Sequence, residues 1–199
     1  MKKRYLALSL ILMFVVVSLL LQFSGPNIHG DQIFESNSLS IPLAIHLVKD
    51  SEKELSTKRD SENVNKLIEE VNRIWSQANI EFYIKNLYEE EYSTQEITGS
   101  RNNPSILKQN FDPTTINAYL IKKIGVNGIA YPPLNVIMVA DFTTVNDYRA
   151  FAHEIGHVLN LQHVPPSNRL LAQGRNGEIL TEMEIEIARM SAKSFSSNK

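Results

Sequence analysis

Apolar and polar residues follow three different rhythms along this chain. The first is unbroken: the 17 residues from Tyr5 to Leu21 carry no charge, follow Lys2, Lys3 and Arg4, and precede the breaker pair Gly25-Pro26. A positive end before an apolar core is the pattern of a secretion signal, whose core usually runs about 7–15 residues. A length of 17 also reaches the lower limit of a membrane-spanning helix, about 17–25 residues. Residues 1–25 are therefore either a cleaved signal or a retained N-terminal membrane anchor. Ser24-Gly25 is the nearest small-residue cleavage candidate. Basic residues stay on the cytoplasmic side, so the remainder is expected outside the cytoplasm.

The second rhythm is that of strands. After a polar spacer over residues 26–40, Ile41–Val48 is a short apolar run bounded by polar residues, as a buried strand should be. Ile80–Ile84 begins another, Ile116–Ile124 a third, and Asn135–Ala140 is the strongest of all. Gly128–Tyr131 ends at Pro132-Pro133 and fits only a sheet edge, because proline cannot donate to a ladder.

The third rhythm repeats every three to four residues. Val64, Leu67, Ile68, Val71, Ile74 and Trp75 form one helical face opened by Asp60 or Ser61. A second helix is expected from about Asn146 to Leu159, with Thr143, Thr144 or Asn146 as caps. A third begins at the capping box Thr181-x-x-Glu184. Glu89 to Asn110 is polar and is expected to be a long loop with a short helix, its Glu89-Glu90-Glu91 triplet facing solvent. The order of elements describes one α/β (α+β) domain over residues 41–199, a sheet with helices packed on it.

Composition narrows the class. The 199 residues include no Cys, which excludes a disulfide framework, a Cys-ligated zinc site and a thiol nucleophile. There are 20 basic and 22 acidic residues; without Lys2, Lys3 and Arg4 the count is 17 against 22, or −5 for the exported part. No basic surplus is left to neutralise phosphates, so nucleic acid is not an expected partner.

The chemistry is concentrated in His153-Glu154-Ile155-Gly156-His157, followed by His163. Residues four apart share a helix face about 6 Å apart along the axis, so His153 and His157 can aim ring nitrogens at one ion. Glu154 lies about 100° round the helix, beside the metal, where a base can take a proton from metal-bound water. On a continuing helix His163 would sit about 9 Å beyond His157 and about 240° round, out of reach. It joins the site only if the helix stops and the chain turns back. Asn160 supplies that stop, since Asn tolerates the left-handed conformation of helix C-termini, and Pro165-Pro166 prevents resumption. His46, inside a strand, fits a hydrogen-bonded structural histidine better than a ligand.

This stretch resembles the signature HExxHxxGxxH of the metzincin clan of zinc metallopeptidases, with Asn160 where the clan usually has Gly. The resemblance implies one Zn(2+) per chain on His153, His157 and His163, with Glu154 as general base and then acid. It implies a mixed, mostly parallel sheet with an antiparallel edge strand, an active-site helix and a C-terminal helix. Gly128, Ile129, Ala130 and Tyr131 would be the edge strand along which a protein or peptide substrate lies. The clan places a methionine turn beneath the metal. Asn168–Gly174 is similar to that turn, with Leu171 at the methionine position, a swap of similar volume. The last Tyr is Tyr148, so no tyrosine beyond this turn can act as an extra ligand or oxyanion donor.

The expectation is thus an extracytoplasmic zinc endopeptidase, membrane-anchored or secreted. Two alternatives stand beside it: a gluzincin-type peptidase with a C-terminal-helix ligand such as Glu182, and a zinc-holding binding module without turnover.

Overall fold

A computed structural model describes residues 37–196. The signal-or-anchor segment, 1–25, and most of the spacer lie outside the described residues. Among the described residues no helix is long and apolar enough to cross a membrane.

Strand β1 (Leu39–Asp50) starts two residues before its expected boundary and takes in Leu39 and Ser40 of the spacer. It is buried over nearly its whole length because it has strands on both sides and side chains packed on both faces. Pro42 is tolerated within it because pairing with the strand on the second side begins only at Leu43.

Helix α1 (Ser61–Trp75) follows, capped by Asp60 and Asn63 in a reciprocal capping box. Its buried residues are Val64, Leu67, Ile68, Val71, Ile74 and Trp75, the face read from the periodicity.

Strand β2 (Ile80–Tyr92) corrects the expected loop, since it continues through the acidic triplet. Glu90 is not on a solvated face: it is 1% exposed. Its carboxylate accepts from His46 Nδ1 (3.0 Å), Tyr92 Oη (2.8 Å) and Asn110 Nδ2 (2.9 Å). A charge in a polar run looks solvated until a partner distant in the chain is placed beside it. Here that partner is 44 residues away.

Then come α2 (Thr94–Ser100), β3 (Ile116–Ile121), β4 (Gly128–Tyr131), β5 (Val136–Ala140), α3 (Asp147–Val158) and α4 (Glu182–Ser196). The sheet order is β2-β1-β3-β5-β4, parallel except for β4, which runs antiparallel to β5 at the edge. Alternate residues of β3 and β5 serve opposite layers: Ala118, Leu120, Ile137 and Val139 face the large core, and Tyr119, Ile121, Val136 and Met138 the smaller one. The large core holds α1, α3 and α4 against the sheet, and so places α3 beside the edge strand.

Candidate metal centre and cleft

Helix α3 ends where its sequence says it should. Asn160 has φ +67°, its N–H donates to His157 O (3.0 Å), and Leu161 N–H donates to Gly156 O (2.9 Å). These are the paired bonds of a Schellman stop, with Asn160 as the left-handed residue. The same turn delivers Leu161 O to His157, whose Nδ1 donates to it at 2.9 Å. His163 then comes back over the helix.

The result is a triangle of Nε2 atoms: His153–His157 3.2 Å, His153–His163 3.1 Å and His157–His163 3.1 Å. His153 Nδ1 faces Leu170 O at 2.8 Å and His157 Nδ1 faces Leu161 O. A carbonyl oxygen only accepts, so both Nδ1 atoms carry the proton, and in the neutral rings that burial favours both Nε2 atoms are bare lone pairs. Two lone pairs 3.2 Å apart repel, and no hydrogen bond between them can relieve this. A cation between them does. Three nitrogens at about 2.0–2.1 Å from a tetrahedral zinc would stand roughly 3.4 Å apart, close to the separations found.

Burial favours the neutral form of the two helix histidines. Burial, assisted by Arg149 and the two other histidines, lowers His153 to about 4 against the pull of Leu170 O. Burial also lowers His157. Among the described residues these three histidines are the group able to hold a metal ion, grading from buried His153 to exposed His163. Glu182 is exposed at the start of α4 and outside that group. Glu184 closes the Thr181 capping box, accepting from Thr181 N at 2.8 Å.

Glu154 is 7% exposed. Burial raises it from 4.5 to about 7, with Arg149 pulling the other way. A carboxyl tuned to that range can both take and return a proton near neutrality.

The site opens into a cleft of about 710 Å³ between α3 and β4, lined by His153, Glu154, His157 and His163 together with Gly128, Ile129 and Ala130. The Tyr131 side chain turns to the other layer, where its hydroxyl donates to Arg101 O at 2.5 Å. Beneath the histidines Leu171 is fully buried, and its two methyl carbons would lie 3.2 Å from a Cβ placed on Gly156. Leu171 thus packs directly on the histidine-bearing helix, where a methionine was the clan's expectation.

Comparison with known proteins adds the fold. The chain shares it with the crystal structure of archaemetzincin from Methanopyrus kandleri, at TM-score 0.58 and 13% identity, covering 79% of this chain and 98% of that one. A chain in the structure of a chaperone–substrate complex aligns at TM-score 0.52 and 16% identity over 80% of this chain and 35% of that one. Metalloproteinase-II from Bacteroides fragilis aligns at TM-score 0.46 and 11% identity over 77% of this chain and 53% of that one. No family model and no curated protein matches the chain.

One residue of the centre escaped sequence reading. Arg149 is 3% exposed, one turn before His153 on the same face of α3. Its Nη2 donates to Leu170 O (2.5 Å) and to Ala172 O, and its Nε to Gly177 O (3.3 Å). It ties the turn that carries Leu171 to the histidine-bearing helix, and shares Leu170 O with His153. The available signal was an Arg at the helical spacing of His153, beside the apolar stretch Ala150-Phe151-Ala152.

Proposed function

We propose that this chain is a zinc-dependent endopeptidase of the metzincin clan, carrying one zinc per chain on His153, His157 and His163. The observation that carries the reading is the pair of bare Nε2 atoms, each fixed by a backbone carbonyl and facing the other across 3.2 Å. The neighbouring carboxyl of Glu154, raised to about 7, supplies the second half of a hydrolytic site.

Zinc, when bound, supplies a Lewis acid that polarises a peptide carbonyl and makes water acidic enough to attack near neutral pH. The other steps belong to this chain's own residues. The edge strand β4 offers unpaired backbone groups to an extended peptide across the cleft from α3. Glu154 accepts the proton of the attacking water and returns it to the leaving amine, acting as base and then acid. His153 and His157 are held in the productive tautomer by Leu170 O and Leu161 O. A protein or peptide is the proposed partner. The apolar leader supports an extracytoplasmic location, either anchored or secreted.

Purified full chain should contain about one zinc per chain and cleave casein. Glu154→Ala should keep the metal and lose cleavage. His163→Ala should lose zinc and Glu182→Ala should not; the reverse would move the ligand to α4. Chelation that alters neither activity nor stability would sink the reading.

A further inference from the structure

We propose that Gly128 is a positioning residue for Glu154: the bare backbone of the edge strand is what allows that carboxyl to occupy its place. The inference rests on the peptidase reading above and adds a requirement that the histidine motif does not contain.

A Cβ built on Gly128 would fall 2.6 Å from Glu154 Cγ, 2.9 Å from Oε1 and 3.0 Å from Cδ. The separation from Cγ lies about 1 Å inside the optimal contact between carbons, about 3.5–4.0 Å. The glycine is not required for backbone freedom. Positive φ among the described glycines occurs at Gly125 and Gly174, whereas Gly128 sits in the ladder opposite Val139 like any strand residue. What the position needs is the absence of a side chain. Glu154 is 7% exposed on a helix packed into the core, so the room its carboxyl has is on the cleft side, away from the place it now occupies. With alanine at position 128 its Cγ must withdraw by about 1 Å to restore ordinary contact. A displacement of that size at a reacting group can reduce turnover about 100-fold. The strand that would receive substrate therefore also sets the position of the base.

The test is a double-mutant cycle on the full chain with two readouts. Gly128→Ala should keep its zinc, show kcat lowered about 100-fold with KM little changed, and lower the metal-free Tm by about 3–10 °C, the usual cost of overpacking. In the Glu154→Ala background the space is vacated, so adding Gly128→Ala should leave Tm unchanged or slightly raised. A normal kcat in Gly128→Ala, loss of its zinc, or an equal fall in Tm in both backgrounds would each overturn the assignment. If the unaltered chain hydrolyses no peptide, the peptidase reading fails by itself, and the Tm cycle still decides the Gly128–Glu154 contact.

Discussion

Arg149→Met separates two opposing effects of burying a cation. The substitution keeps an apolar stem and removes every donor. One effect is relief: burial lowers the Arg149 pKa despite the attraction of Glu154 and Glu178, so removing the charge recovers desolvation energy. The other is the fate of the acceptors. Leu170 O keeps the His153 Nδ1–H, but Ala172 O and Gly177 O lose their guanidinium donors. Each buried carbonyl left without a donor costs about 1–3 kcal/mol, or about 2–6 kcal/mol for the two. Replacing a buried charge is close to neutral only when its partners are replaced as well, and backbone carbonyls cannot be. The acceptors therefore win, with a net loss of about 2–4 kcal/mol and a Tm lowered by about 5–15 °C. Freeing the Leu170 segment also loosens the carbonyl that orients His153, so zinc should bind about 10–100-fold more weakly. Circular dichroism melts of the chelator-treated full chain give the first number, and competition with a chromophoric chelator the second. An unchanged Tm together with unchanged zinc affinity would refute the reasoning.

Three further outcomes follow from the same geometry. Asn160 at φ +67° should accept Gly with a Tm equal to or above that of the unaltered chain, whereas Val should cost about 1–2 kcal/mol and loosen His163; a Val variant with unchanged Tm and zinc content contradicts the helix-stop argument. Glu154 is raised from 4.5 to about 7, so its contribution to metal-free stability is fully present below 4.5 and lost as pH rises through 7. Metal-free Glu154→Gln should therefore exceed the unaltered chain by up to about 3 kcal/mol at pH 8 and match it at pH 4, and an equal difference at both pH values in denaturant titrations would count against this. Leu171→Met should stay within about 1.5 kcal/mol and keep its zinc, while Leu171→Ala, opening a void against Gly156, should cost about 2–5 kcal/mol in the same titrations.

The amino-acid sequence by itself determined the local features. The α1 face, the Asn160 stop, the edge strand ending at Pro132-Pro133 and the His153, Glu154, His157 and His163 set all rest on interactions within a few residues, whose geometry is fixed by helical or strand period. The antiparallel direction of β4 matches the sheet implied by the motif's resemblance, whereas the two-layer use of β3 and β5 came from the tertiary structure. What only the tertiary structure decided lies in contacts between distant segments. Glu90 reads as solvated until β1 brings His46 against it. Arg149 is an ordinary helical charge until the turn around Leu171 brings three carbonyls to it. Gly128 reads as part of an edge strand until α3 sets Glu154 Cγ 2.6 Å from where its Cβ would be. In the first two cases the deciding energy is that of a buried polar group meeting its partner, in the third that of steric overlap, and in all three sequence spacing cannot locate the other residue.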